Sequence, residues 1–271
     1  MKIAVIATTE GAGSTFISTN LSYVSSYTYV DANLPFFGST LFECEKISET
    51  PALWHTEELI NDTCQDCTSC KDLCKKKAFF QTEERKFLNC KGCPDGDCTV
   101  ACHNKNTNSK TQEIGTIVTQ KSGKLKLVHL NGESASVPLI FECALKELSE
   151  EKIIVDCPPY SSANALPILK LCDFCVIVVE PGIYDFENFK ALIRLCKLAN
   201  KPYGVIINKL TTPYDKLTDY CNLHSTPVLA KIPMGARESK MIANGQIISA
   251  VKYTYKQYFS DVLVQIKKKL K

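Results

Sequence analysis

The chain has 271 residues, 45% of them apolar and 23% charged, proportions of a globular protein able to bury one large core or two modest ones. A net charge of +3 excludes a strong electrostatic draw to nucleic acid or to an anionic membrane, and no apolar run approaches the length of a membrane span. Fifteen cysteines stand out; without a charged leader and long apolar stretch after Met1, they read as thiols of a reducing, cytoplasmic setting, where clustered cysteines are metal ligands more often than disulfides.

In chain order, Ile3–Ala7 is an apolar, β-rich run followed by a glycine-containing turn at Gly11–Gly13. Phe16, Ile17, Leu21 and Val24 then recur at helical spacing, and Val30-Asp31-Ala32-Asn33 reads as the end of another strand. Eight of the fifteen cysteines lie between Cys64 and Cys102, in a stretch rich in Lys, Asp, Asn and Thr with too few large apolar residues to form a core unaided. The pattern from Thr116 to Leu130 predicts a hairpin turning at Ser122-Gly123. Short apolar runs at Ile153–Val155, Phe174–Val179, Val205–Ile207 and Val228–Ile232 predict strands buried on both faces. Helices are predicted between them, around Ala163–Leu171, Glu187–Ala199 and Tyr214–Leu223. Tyr258, Val262, Ile266 and Leu270 keep an i, i+4 stripe for a final amphipathic helix, whose end Lys267, Lys268 and Lys269 complement electrostatically. The alternation argues for an α/β domain with a mostly parallel sheet, residues 1–55 and 111–271, interrupted by a small metal domain, residues 56–110.

The first cysteine run is Cys64-x2-Cys67-x2-Cys70-x3-Cys74, and the second is Cys90-x2-Cys93-x4-Cys98-x3-Cys102. Three thiolates at two-residue gaps can wrap one face of a cubane, while in two-cluster ferredoxins the fourth ligates the other cluster. On that crossed pattern one [4Fe–4S] cluster takes Cys64, Cys67, Cys70 and Cys102, and the second takes Cys90, Cys93, Cys98 and Cys74. The longer gap in the second run falls on Pro94-Asp95-Gly96-Asp97, a turn sequence that absorbs an insertion. Lys75 and His103 stand where such runs usually carry proline, which leaves the local turn and the reduction potential open. Zinc is the competing metal, although zinc ribbons use separated pairs rather than four cysteines in one continuous segment. Cys143, Cys172, Cys175, Cys196 and Cys221 sit in or beside apolar segments and read as small buried hydrophobes. Cys157, beside Asp156, reads as a buried strand-end residue, with a reactive thiol or a third cluster as the alternative.

Ala7-Thr8-Thr9-Glu10-Gly11-Ala12-Gly13-Ser14-Thr15 occupies the strand-to-helix position of a P-loop. Ile153-Ile154-Val155-Asp156-Cys157-Pro158-Pro159 has the form of a strand ending in an Asp-x-Pro-Pro switch, and Ile206-Ile207-Asn208-Lys209 ends a later strand with an Asn-Lys pair. With Gly132-Glu133-Ser134-Ala135-Ser136 and Ala230-Lys231-Ile232-Pro233, the chain resembles over nearly its whole length the MinD/ParA-type P-loop ATPases carrying an inserted two-cluster ferredoxin domain. The resemblance implies a MinD-like P-loop NTPase fold and a nucleotide site at Gly11, Gly13, Ser14, Thr15, Asp156 and Asn208, with Thr15 and Asp156 as the residues that would hold Mg²⁺. It also implies a homo- or heterodimer with a MinD-like homologue.

Set against the family loop Gly-Lys-Gly-Gly-Thr-Gly-Lys-Thr, this chain keeps Gly11, Gly13 and Thr15. Thr8 replaces the first glycine, Thr9 the lysine that reaches a partner's nucleotide, Glu10 another glycine and Ser14 the phosphate-binding lysine; Tyr160 takes a glycine place after Pro158-Pro159. Ser14 supplies no charge to the anion nest, and Glu10 repels phosphate by roughly 4 kcal/mol at 4 Å and an effective dielectric near 20. Even screened, that is a large part of the about 8 kcal/mol of a micromolar complex. No ATP hydrolysis is expected of the isolated chain, and whether ATP and Mg²⁺ bind at all is left open. The leading expectation is an electron-transfer subunit on a degenerate ATPase scaffold, paired with an intact homologue and serving a redox partner. The alternatives are a carrier delivering clusters or a metal cofactor to an apo-enzyme client, and an ATP-dependent reductase with an atypical loop.

Overall fold

Short apolar runs such as Ile3–Ala7 and Phe174–Val179 form the strands of the sheet's parallel part. In a computed structural model, which describes residues 1–34, 36, 43–59, 74, 76–81, 86–88, 90–95, 107–149, 151–210 and 215–271, the chain runs β1 Lys2–Ala7, α1 Ser14–Ser25, β2 Thr28–Asp31, β3 Glu45–Leu59, β4 Phe79–Gln81, β5 Lys86–Leu88, β6 Thr107–Ser122 and β7 Leu125–Gly132. A single 3-10 turn at Ser134–Ser136 leads into α2 Val137–Glu147, then β8 Ile153–Asp156, α3 Ala165–Lys170, β9 Phe174–Val179, α4 Ile183–Leu198, β10 Tyr203–Leu210, α5 Asp215–Leu223 and β11 Val228–Pro233. Helices α6 Ala236–Ala243, α7 Ile248–Val251 and α8 Tyr253–Lys269 complete the order.

Nine of these strands share one sheet in the order β11-β10-β9-β1-β8-β2-β7-β6-β3. Every pairing from β11 through to β7 is parallel. The two-residue link Gly123–Lys124 between the neighbours β6 and β7 admits only an antiparallel hairpin, and Gly123 takes the left-handed φ of 57° that the turn needs. The turn thus sits one residue later than the Ser122-Gly123 expected. β4 and β5 form a separate antiparallel pair with Phe79 opposite Leu88.

The backbone divides into two compact units, one of Met1–Glu49, Val118–Leu130 and Glu150–Lys271, the other of Thr50–Ile117 and Asn131–Ser149. In the first, Ile3, Val5, Phe174, Val176 and Ile206 pack with Phe16, Ile17 and Leu21 of α1 and Phe259, Val262 and Ile266 of α8. Phe16 meets the rings of Tyr255 and Phe259 edge-on at 6.4 and 5.9 Å. Alternate residues Ala4, Ile6, Cys175 and Ile177 point to the opposite face and are equally buried, as are Ile168 and Leu169 of α3 and Phe189, Leu192 and Cys196 of α4. Both faces of the parallel sheet are therefore covered. Two buried polar side chains of α1 bond to its own turns: Thr19 and Asn20 donate to the Thr15 and Phe16 carbonyls at 2.7 Å each.

In the second unit, α2 is tied to the segments around it. Thr50 Oγ1 donates to Glu147 at 3.0 Å, the Cys143 thiol donates to the Leu53 carbonyl at 3.4 Å, and Lys146 Nζ donates to the Pro94 carbonyl at 3.2 Å. Lys76 pairs with Glu142. His55 and Lys110 lie within β3 and β6.

Candidate functional site

The loop of residues 8–13 leaves the C-terminal end of β1 at the centre of the sheet and enters α1, whose N-cap is Gly13 at φ 106° with no side-chain cap and no acidic residue in its first turn. Ile17 N–H bonds back to the Gly13 carbonyl at 3.0 Å, so the amides of Ser14, Thr15 and Phe16 have no intrahelical acceptor. That is the anion-facing end of a helix dipole. A Cβ on Gly13 would stand 2.3 Å from Asn208 Nδ2, whose amide donates to the Ala12 carbonyl at 2.8 Å. Asn208, at the C-terminal end of β10, thereby fixes the loop from across the sheet.

Thr15 Oγ1 donates to Asp156 Oδ2 at 2.6 Å, and the Tyr29 hydroxyl donates to the same oxygen at 3.0 Å. Asp156 is fully buried, and its Oδ1 has no hydrogen-bond partner. Burial, with repulsion from Asp31 on the neighbouring strand, pushes the Asp156 carboxyl up to about 7, against the opposing pull of the Thr15 and Tyr29 hydrogen bonds. Asn33 stands alongside, donating to Asp31 Oδ1 from its backbone and side-chain nitrogens at 3.0 Å each. All six residues expected at the nucleotide site fall in this neighbourhood, and Gly11, Gly13, Ser14, Thr15 and Asn208 line a single cavity of about 520 Å³. Phe16, Pro159, Met234, Ile242 and Ile247 complete its apolar wall. Among the described residues lining it, the cation is Lys209, whose ammonium is paired with Glu180 at 3.0 Å.

The sequence did not point to what holds the loop's first half. Thr8 Oγ1 and Thr9 Oγ1 both donate to Asp185 Oδ1 at 2.8 Å, and the Tyr160 hydroxyl donates to Asn188 Oδ1 at 2.7 Å. Asp185 and Asn188 lie on the first two turns of α4, so Thr8, Thr9 and Tyr160 are tethered to one helix start. A hydroxyl pair beside a short polar helix start was the only trace in the sequence, and nothing there joins positions 176 residues apart.

Of the expected cluster ligands, Cys74, Cys90 and Cys93 are within the described residues; Cys64, Cys67, Cys70, Cys98 and Cys102 lie outside them. Cys74 Sγ accepts the Ala78 N–H at 3.3 Å, and Cys90 Sγ accepts the Glu57 N–H at 3.4 Å. Cys93 exchanges both backbone hydrogen bonds with His55 of β3 at 2.9 Å. Between the last two, Gly92 takes φ 84° beneath the indole of Trp54: a Cβ there would stand 2.0 Å from Trp54 Nε1, which donates to the Lys91 carbonyl at 3.1 Å. Among the described residues, no group of three or more His, Cys, Asp or Glu gathers as a metal site. Cys157 is buried at the end of β8 as expected, its thiol pushed up by burial and turned to the Val155 carbonyl at 3.8 Å. Cys143, Cys172, Cys175, Cys196 and Cys221 are buried as expected.

No family model matches the sequence. An uncharacterized protein of Methanocaldococcus jannaschii is 26% identical over 259 residues, covering 82% of this chain and 88% of that one. Among solved structures, the cell division ATPase MinD of Pyrococcus furiosus superposes with a TM-score of 0.57 at 16% identity over 98% of both chains. MinD of Pyrococcus horikoshii, complexed with Mg-ADP, gives 0.56 at 16% identity over 98% of this chain and 96% of that one. A ParA family ATPase of Chlorobium tepidum gives 0.58 at 15% identity over 97% of each. The fold is that of the MinD/ParA-type P-loop ATPases. In this MinD-like fold the loop leaves β1 between its sheet neighbours β8 and β9, and β10 lies one strand beyond β9. Among the described residues, no helix is long and apolar enough to cross a membrane.

Proposed function

We propose that this chain is an iron–sulfur protein: a MinD-like scaffold without ATP hydrolysis that carries two [4Fe–4S] clusters on the cysteines between positions 64 and 102. The observation that carries this reading is the pair of ferredoxin-spaced runs, eight thiols in a polar stretch. The described ligands support it, since the Cys74 and Cys90 sulfurs are met by backbone N–H groups and the Cys90–Cys93 turn is pinned beneath Trp54. Cys64, Cys67, Cys70 and Cys102 would hold one cluster, and Cys90, Cys93, Cys98 and Cys74 the other. When bound, such clusters pass one electron at a time. The chain's own part is to orient the thiolates, to donate N–H groups to their sulfurs and to present the pair to a redox partner. On this reading, partnership with an intact homologue would supply the ATP chemistry that this loop has lost.

The loss rests on Ser14 and Thr9, which stand where lysines would act, and on Glu10 at the cavity wall. Mg-ADP is bound by the Pyrococcus horikoshii relative. Here the retained Gly11, Gly13, Thr15 and Asp156 would keep the shape of such a site without the charge that drives phosphoryl transfer. Chain purified without oxygen should be brown, with close to eight irons and eight sulfides per chain by the ligand count. It should release no phosphate from ATP above background. A colourless preparation with stoichiometric zinc, or ATP turnover abolished by Asp156→Ala, would sink the respective halves of the reading.

A further inference from the structure

The cavity over the loop is built for less charge than a triphosphate carries. Its volume of about 520 Å³ suits a drug-sized or nucleoside-sized ligand, and Phe16, Met234, Ile242 and Ile247 give it an apolar wall for a flat ring. Fully buried Asn208 lines it with an Oδ1 that has no hydrogen-bond partner. The uncapped amides of Ser14, Thr15 and Phe16 offer places for one small anionic or polar group. Around them the fixed charge is negative. Glu10 lines the cavity, Asp185 stands one hydrogen bond behind Thr9 in its wall, and Lys209 is neutralised by Glu180.

We propose that this cavity binds a nucleoside or nucleoside monophosphate in preference to a nucleoside triphosphate, with Asp185 as the residue that sets this charge preference. Asp185 does so in two ways. Its Oδ1 receives the hydroxyls of both Thr8 and Thr9, so the Thr9 hydroxyl proton at the cavity wall is engaged by Asp185 rather than offered to a phosphate. Its carboxylate also adds to the field of Glu10 against each further phosphate. Tyr160 on Asn188 and Lys209 on Glu180 tether two further cavity-side segments to the same stretch, residues 180–188, so the loop is held without a ligand's help.

The inference rests on the reading that the loop has lost its triphosphate chemistry, yet it can fail separately. Titration calorimetry of the anaerobically purified full chain with adenosine, AMP, ADP and ATP, each with and without Mg²⁺, tests it. Adenosine and AMP should bind, and ATP should bind at least about tenfold more weakly than AMP at low salt. Raising the salt should narrow that gap, because the repulsion is screened. Asp185→Asn and Glu10→Gln should each raise ATP affinity several-fold relative to adenosine affinity, narrowing the gap between the two ligands; if Asp185→Asn fails to fold, Glu10→Gln and the salt series decide. ATP binding as tightly as AMP, a gap indifferent to salt and to Glu10→Gln, or no binding of any of the four would overturn the proposal. Tight binding of ATP without turnover would sink this inference alone.

Discussion

At Gly13 two constraints meet in one residue. Its φ of 106° is a backbone state that side chains resist, and Asn208 Nδ2 fills the space a Cβ would take, 2.3 Å away. Gly11 has a φ of 82° but nothing within 4 Å of its Cβ position. Gly13→Ala should therefore lower stability by about 2–4 kcal/mol and Gly11→Ala by about 1 kcal/mol, measured by urea denaturation. Equal losses would mean that Asn208 does not constrain the loop. Asp156 makes the complementary case for charge. Its carboxyl is raised from an ordinary 3.8 to about 7 in the fold, so the unfolded chain gives up its proton first as pH rises. The folded state therefore loses stability between about pH 4 and pH 7, and Asp156→Asn should flatten that slope and be relatively more stable at pH 8 than at pH 4. Thermal melts across that range check it; an unchanged slope would place the proton on another group of the Asp31–Asp156–Tyr29 cluster. Both the glycine pair and the Asp156 carboxylate were visible in the sequence as motif residues, but their energetic roles come from Asn208, Tyr29 and Asp31, which only folding brings beside them.

Among the elements, the buried parallel strands and amphipathic α8 were the most legible, because continuous apolar runs and a regular stripe leave few other packings. α8 docks through Phe259, which is fully buried and set edge-on to Phe16 of α1. Phe259→Ala should cost about 3–5 kcal/mol by denaturant unfolding, and a loss below 1 kcal/mol would show that the two helices hold each other by other contacts. α4 begins at Ile183, a turn before the Glu187 expected, since Gly182 ends the extended link from β9 and the apolar spacing starts only later. β3 and α2 were not legible. The β3 sequence contains Pro51, four glutamates and a lysine, and it becomes a strand by pairing with β6 at the sheet edge rather than by its own pattern. The trigger for α2 is Pro138 in its first turn, behind a Gly-Glu-Ser stretch that reads equally well as a loop.

At the scale of the whole molecule, the order β11-β10-β9-β1-β8-β2-β7 puts β1 amid the parallel strands, and the C-terminal ends of β1, β2, β8 and β10 gather the loop, Asp31, Asp156 and Asn208 on one edge. Ligand sites of parallel α/β sheets lie at such carboxyl ends. The amino-acid sequence by itself determined the strand–helix alternation, the two runs of thiols and a glycine-containing loop, residues 8–15, without a lysine, because each is a property of residue type and spacing along the chain. Only the tertiary structure decided that Asp185 holds Thr8 and Thr9, that Asn208 roofs Gly13 and that Trp54 covers Gly92. Those contacts join residues far apart in sequence, and they are set by strand order and side-chain packing, which local pattern does not encode.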